Sequence, residues 1–230
     1  MSSDFERLVL SKYLNKMSDG GPVTPPKLIG HKNVGKYALH GLDAIRAVED
    51  LEGRSLSLPE RRVVELEGFV PELYVDSKGV KTFGVGQTKE FVGKGFKHSF
   101  DEHVDRTEKR VPSLRKLPEE VQAELIQAEY RGDLGLSDDA VKLFNKGKYA
   151  DAAKEFLNHN EYKGYIAKRK KGDKKAGGNI PERLEAVRDA MLLMDELSKP
   201  KEEFFKGLMN RPKPKEEFFK GLMNRPPPRK

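Results

Sequence analysis

The 230-residue chain contains no cysteine and no tryptophan. The lack of cysteine excludes a disulfide framework and a thiolate metal site, and it leaves the redox compartment open. No apolar run is long enough for a transmembrane helix, so we expect no membrane span. Residues 1–21 lack the uninterrupted apolar region and the small-residue cleavage site of a secretory signal. We therefore expect that the protein does not export itself by that route.

Charge is abundant. Charged residues make up 35% of the chain and hydrophobic residues 36%, so we expect part of the chain to lie outside any core. The formal net charge of +7 predicts a surface that attracts polyanions. Nucleic acid, anionic lipid and the phosphate-rich bacterial envelope all belong to that class, and charge alone does not choose among them.

The composition divides the chain into three parts. Residues 1–55 are predicted to be an N-terminal extension, a candidate anchor with helices over residues 4–17 and 42–51 on either side of a Gly/Pro stretch. Residues 56–198 are predicted to be the folded body. Residues 199–230 are predicted to be a tail, because they carry the block KPKEEFFKGLMNRP twice.

Helix signals follow one another through the body. Ser57 with Glu60 and Ser99 with Glu102 have capping-box spacing, which predicts helix starts at Ser57 and Ser99. Further helices are predicted over residues 118–131, 137–145, 149–158 and 181–197. Between the last two, the basic stretch 163–178 is interpreted either as a solvated loop or as a contact for an anion.

Each tail repeat brings four apolar side chains to one helical face. They lie at positions i, i+1, i+4 and i+5. The two sets are Phe204, Phe205, Leu208, Met209 and Phe218, Phe219, Leu222, Met223. A helix this short is marginal alone, so we expect these residues to bind a partner that offers two identical sites. A solubilising tail and a membrane-surface anchor are the alternatives.

Two carboxylates are predicted to face one groove. The helix that starts near Ser57 ends at Glu67, and a hairpin follows with its turn at Asp76 and with Thr82 on the returning strand. A glycosidase needs one carboxyl that donates a proton to the departing sugar oxygen and one that stays ionised. A hydroxyl beside the second carboxyl could hold the attacking water. Either carboxylate alone is ordinary for its position, since Glu and Asp are mostly exposed.

The spacing of Glu67, Asp76 and Thr82, followed by Gly84 and Gly86, resembles the catalytic signature of the phage-type lysozyme (muramidase) family. Residues 128–162 are similar to the helical lobe of that family, and residues 179–192 to its closing helix. The resemblance thus covers roughly residues 57–197.

The resemblance implies an α+β lysozyme-like fold, in which a small lobe with the β-hairpin and a larger helical lobe are joined by a connecting helix. It implies Glu67 as general acid, Asp76 as the base that activates water, and Thr82 as the hydroxyl that helps to hold that water. Substrate contacts are expected from Gly84, Gly86 and Gln87. The family commonly has histidine at the position of Gln87, so a structural ion pair is expected to be absent there.

Two other site types are disfavoured. Gly84 and Gly86 end a hairpin and lack the third glycine of a dinucleotide-binding loop. His98 and His103 are five residues apart and do not share a helical face, so we expect no metal, and the implied hydrolysis needs no cofactor.

The expected function is cleavage of the β-1,4 bond between N-acetylmuramic acid and N-acetylglucosamine in bacterial peptidoglycan. The two extensions favour a phage virion-associated enzyme, in the tail or the interior of the particle, that acts in the host periplasm during genome delivery and binds a phage structural protein through the C-terminal repeats. A free endolysin made in the host cytoplasm and an inactive virion adaptor on a lysozyme body are the alternatives. A nucleic-acid binder is favoured by charge alone, and no aromatic residue interrupts the run from Lys168 to Lys175, so no specific nucleic acid is expected.

Overall fold

A computed structural model describes residues 28–76, 79–88 and 94–199. Within these residues the protein is helix-rich, with one small antiparallel sheet, and therefore belongs to the α+β class. The longer helices are α1 (Gly41–Glu52), α2 (Leu58–Glu67), α3 (Gly95–Arg110), α4 (Glu119–Arg131), α5 (Asp138–Asn145), α6 (Tyr149–Phe156), α7 (Asn160–Lys170) and α8 (Ile180–Leu197). Short 3₁₀ helices span His31–Lys36, Leu114–Lys116 and Leu134–Leu136.

The sheet contains three strands in sequence order, β1 (Val70–Val75), β2 (Lys81–Gly84) and β3 (Gln87–Thr88). β1 and β2 form the predicted hairpin, in which Tyr74 pairs with Thr82. The register shifts between Val70 and Tyr74, as in a β-bulge. The hairpin follows α2 directly, so the end of that helix and the hairpin turn belong to one short stretch of chain.

The helical core is formed where α2, α4, α6 and α8 pack together. α2 packs against α4, and α8 packs against both α4 and α6. Leu125 of α4, Phe156 of α6 and Leu184 of α8 are completely buried. Burial of such side chains supplies the main stabilisation of this layer, at roughly 1.5–3 kcal/mol each.

The capping box at Ser57 is confirmed. The Ser57 and Glu60 side chains satisfy each other's backbone N–H groups, and Pro59 occupies the first turn. The predictions near residues 118–131, 137–145, 149–158 and 181–197 are also confirmed, within one or two residues at each end. These helices carry both a start signal and an apolar stripe.

The predicted helix start at Ser99 is wrong. α3 begins a turn earlier, at Gly95, where the Phe96 backbone N–H donates to Glu52 Oε1 over 2.8 Å. Ser99 lies inside the helix and is 2% exposed. The cap therefore comes from a side chain 44 residues away, which no local pattern reveals.

Residues 28–55 belong to the folded body, and this corrects the predicted extension over residues 1–55. Ile29 pairs with Tyr74, and Leu39 with Phe69, in two isolated β-bridges against the hairpin. Within α1, which confirms the helix expected over residues 42–51, Val48 is completely buried in the shared core. Chain pairing and core burial thus tie this segment to the sheet. The helix expected over residues 4–17 lies outside the described residues.

The basic stretch 163–178 is only partly a loop. Its first half belongs to α7, which ends at Lys170, and turns follow up to Asn179. Lysine and arginine are good helix formers, so a charge run does not by itself predict a loop. α7 has no buried residue, which is why its apolar periodicity gave no signal.

Candidate functional site

Glu67 is the last residue of α2, and its carboxylate is held by Arg183 of α8. Arg183 Nη2 donates to Glu67 Oε1. Gly68 ends the helix with φ +75°, and a Cβ there would lie 2.8 Å from the Leu39 carbonyl oxygen. Glycine is thus required both for the turn and for the close approach of the N-terminal segment. The helix end and the guanidinium together fix where the Glu67 carboxyl lies.

Arg183 is itself fixed by Gln127 of α4. The Arg183 side chain is 7% exposed, and Gln127 is almost completely buried. With the amide oxygen of Gln127 turned toward the guanidinium, that oxygen lies 2.6 Å from Nη2 and 2.9 Å from Nε. Residues of three helices therefore form one series of contacts, from Gln127 through Arg183 to the Glu67 carboxyl. Its Oε2 accepts no hydrogen bond from the described residues.

Sequence reasoning missed Arg183 and Gln127. A signal was present in α8, where Arg183 directly precedes the buried Leu184 and lies on the stripe that faces the core. A charged residue on a buried stripe is rare unless it has a partner. The partner could not be named from sequence, because Glu67 is 116 residues away.

Asp76 lies in the hairpin turn, as predicted. Its Oδ1 accepts a hydrogen bond from the Val80 backbone N–H over 2.8 Å, and its own N–H donates to the Val80 carbonyl over 2.9 Å. These bonds close the turn and orient the carboxylate. The half-buried Asp76 lies at the surface end of the hairpin, next to the end of β1.

Thr82 lies on β2, and its residue is 4% exposed. Its hydroxyl donates to the Val80 carbonyl over 3.1 Å, which leaves the oxygen lone pairs as acceptors. Asp76 and Thr82 thus both bind the backbone of Val80. Because Thr82 is buried, a water bound to its hydroxyl would be largely shielded from solvent.

Tyr74 links the two carboxylates electrostatically. Burial raises the pKa of Tyr74 to about 12, and the negative charges of Asp76 and Glu67 add to the shift. Thr82 is the cross-strand partner of Tyr74, and Asp76 follows Tyr74 by two residues at the hairpin turn. The hairpin thus brings Tyr74, Asp76 and Thr82 together, and Glu67 ends the helix that directly precedes it.

Tyr130 of α4 and His103 of α3 form an aromatic pair. Their ring centroids are 4.2 Å apart, and the Tyr130 hydroxyl donates to the Val85 carbonyl over 2.6 Å. Burial raises the pKa of Tyr130 and lowers the pKa of His103, and the charge of Glu67 acts on both groups. Neither residue was predicted as part of the site, because each lies on a different helix and shares no motif with Glu67.

The remaining predicted substrate contacts lie in and after β2. Gly86 is exposed, whereas Gly84 is buried and a Cβ on it would lie 2.6 Å from Gln87 Oε1. Gln87 is 4% exposed, and its Nε2 has no hydrogen-bond partner among the described residues. The Gln87 side chain is thus turned inward over Gly84. A substrate contact from Gln87 stays a prediction.

The eight apolar tail residues, from Phe204 to Met223, lie outside the described residues. In the part of the chain that the structure describes, no three His, Asp or Glu side chains are grouped so that they could hold a metal ion. None of the helices there combines the length and the apolar composition of a membrane span. These findings add no further group to the site around Glu67.

An open depression of about 290 Å³ lies between α2 and α4. Arg62 lines it and bonds to Glu124 over 2.7 Å and to Glu65 over 3.1 Å. Its charged walls are thus largely paired with each other. Glu67 does not line it, so it is separate from the candidate site.

A comparison with models of known protein families found no match, and neither did comparisons with curated proteins and with solved structures.

Proposed function

We propose that the protein is a peptidoglycan hydrolase of the lysozyme type, which cleaves the β-1,4 bond between N-acetylmuramic acid and N-acetylglucosamine. The proposal includes a lysozyme-like arrangement, in which the hairpin lobe and the helical lobe are joined by α3. It rests on the resemblance of residues 57–197 to the phage-type lysozyme family. The observation that carries it is that Arg183 fixes Glu67 at the end of α2, directly before the hairpin that bears Asp76 in its turn and Thr82 on its returning strand.

In the proposed reaction Glu67 is the general acid. The reactive form carries a proton on Oε2, while Oε1 still accepts from Arg183, and Oε2 donates that proton to the glycosidic oxygen as the bond to the anomeric carbon breaks. The fixed carboxyl is pre-oriented for transfer, which lowers the entropic cost of reaching the transition state. Arg183 and Gln127 act as positioning residues.

Asp76 is the proposed base. It takes a proton from a water that attacks the anomeric carbon on the face opposite the leaving sugar, and Thr82 accepts a hydrogen bond that orients this water. The configuration at the anomeric carbon inverts. This mechanism requires carboxyl groups about 6.5–9.5 Å apart, enough for a water to fit. Asp76 then releases the proton it took from water to solvent, and Glu67 takes one proton from solvent, so both carboxyls return to their starting states.

The test is Glu67→Gln with Glu65→Gln as control. Glu65 lies on the same helix, with its side chain 51% exposed and paired to Arg62. An amide cannot donate the proton, so we expect peptidoglycan hydrolysis to fall by about 10² to 10⁴ in Glu67→Gln. Glu65→Gln should keep the parental rate. Parental clearing of peptidoglycan by a folded Glu67→Gln protein would contradict the assignment.

The proposal extends to a role in the phage particle. The duplicated block within residues 199–230 supplies two identical apolar sets, which suit neighbouring subunits of a symmetric phage structural protein. We expect deletion of residues 199–230 to leave hydrolysis of purified peptidoglycan unchanged and to abolish incorporation into virions. Phe204→Ala with Phe218→Ala should do the same. Normal incorporation of the truncated enzyme would favour a free endolysin.

An inactive adaptor on the same body would show the opposite pattern. It would be present in purified virions and would clear no peptidoglycan at any concentration. A zymogram on peptidoglycan, run beside a salt-dependent DNA shift, distinguishes the enzyme, the adaptor and a nucleic-acid binder.

A further inference from the structure

A ridge of five exposed lysines runs from the end of α7 through the turns before α8. We call it the basic ridge, and it consists of Lys168, Lys170, Lys171, Lys174 and Lys175. None of these side chains forms an ion pair with a described residue, whereas Lys97 and Lys142 elsewhere on the surface each pair with an aspartate. Residues 160–178 contain seven basic and two acidic residues, a net charge of +5 within a chain of net charge +7. Residues 199–230 carry a further net charge of +6, whereas the rest of the folded body, residues 56–159 and 179–198, carries a net charge of −5. Within the body, positive charge is therefore concentrated at the ridge.

The ridge is held in shape by Arg169, the one basic residue of the run that points inward. Arg169 Nε donates to the Ala176 carbonyl over 2.9 Å, and Nη2 donates to the Gly178 carbonyl over 2.6 Å. Its guanidinium also pairs with Glu182 in the first turn of α8. Ala176, in the same turn, is 8% exposed. The backbone that presents the lysines is thus tied to α8.

The residue of α8 that binds the ridge is next in sequence to the residue that binds Glu67. Glu182 binds Arg169, and the next residue, Arg183, binds Glu67. Consecutive residues of a helix differ in direction by about 100°, so one turn of α8 holds the basic ridge on one side and the Glu67 carboxyl on another. An anionic chain on the ridge would lie beside the same helix end that positions Glu67.

We propose that the basic ridge binds a phosphate-bearing glycopolymer of the bacterial cell wall and thereby holds the enzyme on its substrate. This inference rests on the proposed function, because such polymers accompany peptidoglycan. Closely spaced lysines without acidic partners match a flexible chain of phosphates, since each ammonium releases a condensed counterion when it meets a phosphate.

The ridge lacks the groups that recognise bases. Single-stranded nucleic acid is bound by aromatic faces placed along a basic groove. The two tyrosines of α7 are engaged within the protein, because the Tyr162 hydroxyl bonds to Glu185 and the Tyr165 hydroxyl to Glu161. A Cβ on Gly177 would lie 2.6 Å from the Tyr165 ring, so that ring packs on the turn. The ridge therefore favours a phosphate polymer without stacking bases.

The binding test uses the full chain and a synthetic poly(glycerol phosphate). The test variant changes Lys170, Lys171, Lys174 and Lys175 to Gln together. If each lysine meets one phosphate, the slope of log Kd against log salt concentration should fall by about 3 in this variant, and affinity in 0.05 M salt should fall roughly tenfold or more.

The control variant changes Lys109, Lys116, Lys146 and Lys154 to Gln, four exposed lysines outside the ridge, with the same loss of charge. Its slope of log Kd against log salt concentration should differ from the parental slope by less than about one, because no ridge contact is removed. An equal loss in both variants would show a non-specific effect of net charge and overturn the proposal. Tighter, ridge-dependent binding of a DNA oligonucleotide or of anionic vesicles than of poly(glycerol phosphate) would also overturn it.

Hydrolysis on two wall preparations separates this proposal from the proposed function. On walls that retain their phosphate polymer, the ridge variant should be slower than the parent, and on walls stripped of phosphate it should equal the parent. If the ridge variant and the parent have equal rates on each preparation, the ridge proposal is overturned, whereas the proposed hydrolysis is not. If the parent cleaves neither preparation, the proposed function fails, and the salt dependence of binding still decides the ridge.

Discussion

Replacing Arg183 with methionine should weaken the fold and the candidate site together. Arg183 is the donor on which both Glu67 and Gln127 depend, and its side chain is 7% exposed. Methionine keeps the length and the apolar stem but removes all five N–H donors. The variant therefore leaves a carboxylate and a buried amide oxygen without their shared partner.

The expected loss follows from burial. Removing one member of a buried ion pair costs about 3–5 kcal/mol, because the other charge stays unpaired. The Glu67 side chain is 26% exposed, so water can reach it and the lower end of this range applies. We expect Arg183→Met to lower the free energy of unfolding by about 3 kcal/mol. For a chain of this size that corresponds to a decrease in Tm of roughly 6–12 °C.

Urea unfolding followed by circular dichroism measures this loss, and Arg188→Met is the matched control. Arg188 lies on the same helix and pairs with Asp189 at the surface, with side chains 32% and 62% exposed. Such a pair is worth about 0.5 kcal/mol or less. In the double variant Arg183→Met with Glu67→Gln, the loss in the free energy of unfolding should be about 1–2 kcal/mol smaller than the sum of the two single losses. A loss below about 1 kcal/mol, or one equal to that of Arg188→Met, would refute the reasoning.

Two further predictions concern the fold. Val48→Ala should lower the free energy of unfolding by about 2 kcal/mol, because Val48 is completely buried, whereas Leu42→Ala on the 56% exposed side of the same helix should change it by less than about 0.5 kcal/mol. Equal effects in urea unfolding would mean that α1 is not integral to the core. Burial raises the pKa of Glu60, but hydrogen bonds from Arg54 and Ser57 outweigh it, so the pKa lies below 4.5 and the carboxylate stabilises the protein above that pH. The stability difference between the parent and Glu60→Gln should stay constant above pH 5.5 or so and shrink as the pH falls below about 4.5, and a difference that grows on acidification would contradict this assignment.

Local patterns predicted the elements that depend on local forces. Ser57 and Glu60 are three residues apart and satisfy each other, and Asp76 turns a hairpin between two short apolar runs. The positions of Glu67 and Asp76 in the fold could be anticipated for this reason. The α+β class was implied by the resemblance to the phage-type lysozyme family, and the helices and the small sheet of the structure agree with it.

The interactions that complete the site are long-range. Glu67 meets Arg183 across 116 residues, and the start of α3 is capped by Glu52 across 44 residues. A polar side chain that finds its partner only in the folded state leaves no periodic signal. The place of residues 28–55 in the core was missed for a related reason, since Ile29 and Leu39 join the sheet through isolated bridges instead of a strand pattern.

The most direct test of the central claim is the identity and the configuration of the first product. Purified peptidoglycan should be digested with the parent protein, and the new reducing ends should be analysed before the sugar anomers equilibrate. The account predicts N-acetylmuramic acid at the reducing end, formed first as the α anomer, and almost none of it with Glu67→Gln. The absence of new N-acetylmuramic acid ends would contradict the proposed reaction, and a first product that keeps the β configuration would contradict the water-activating role of Asp76.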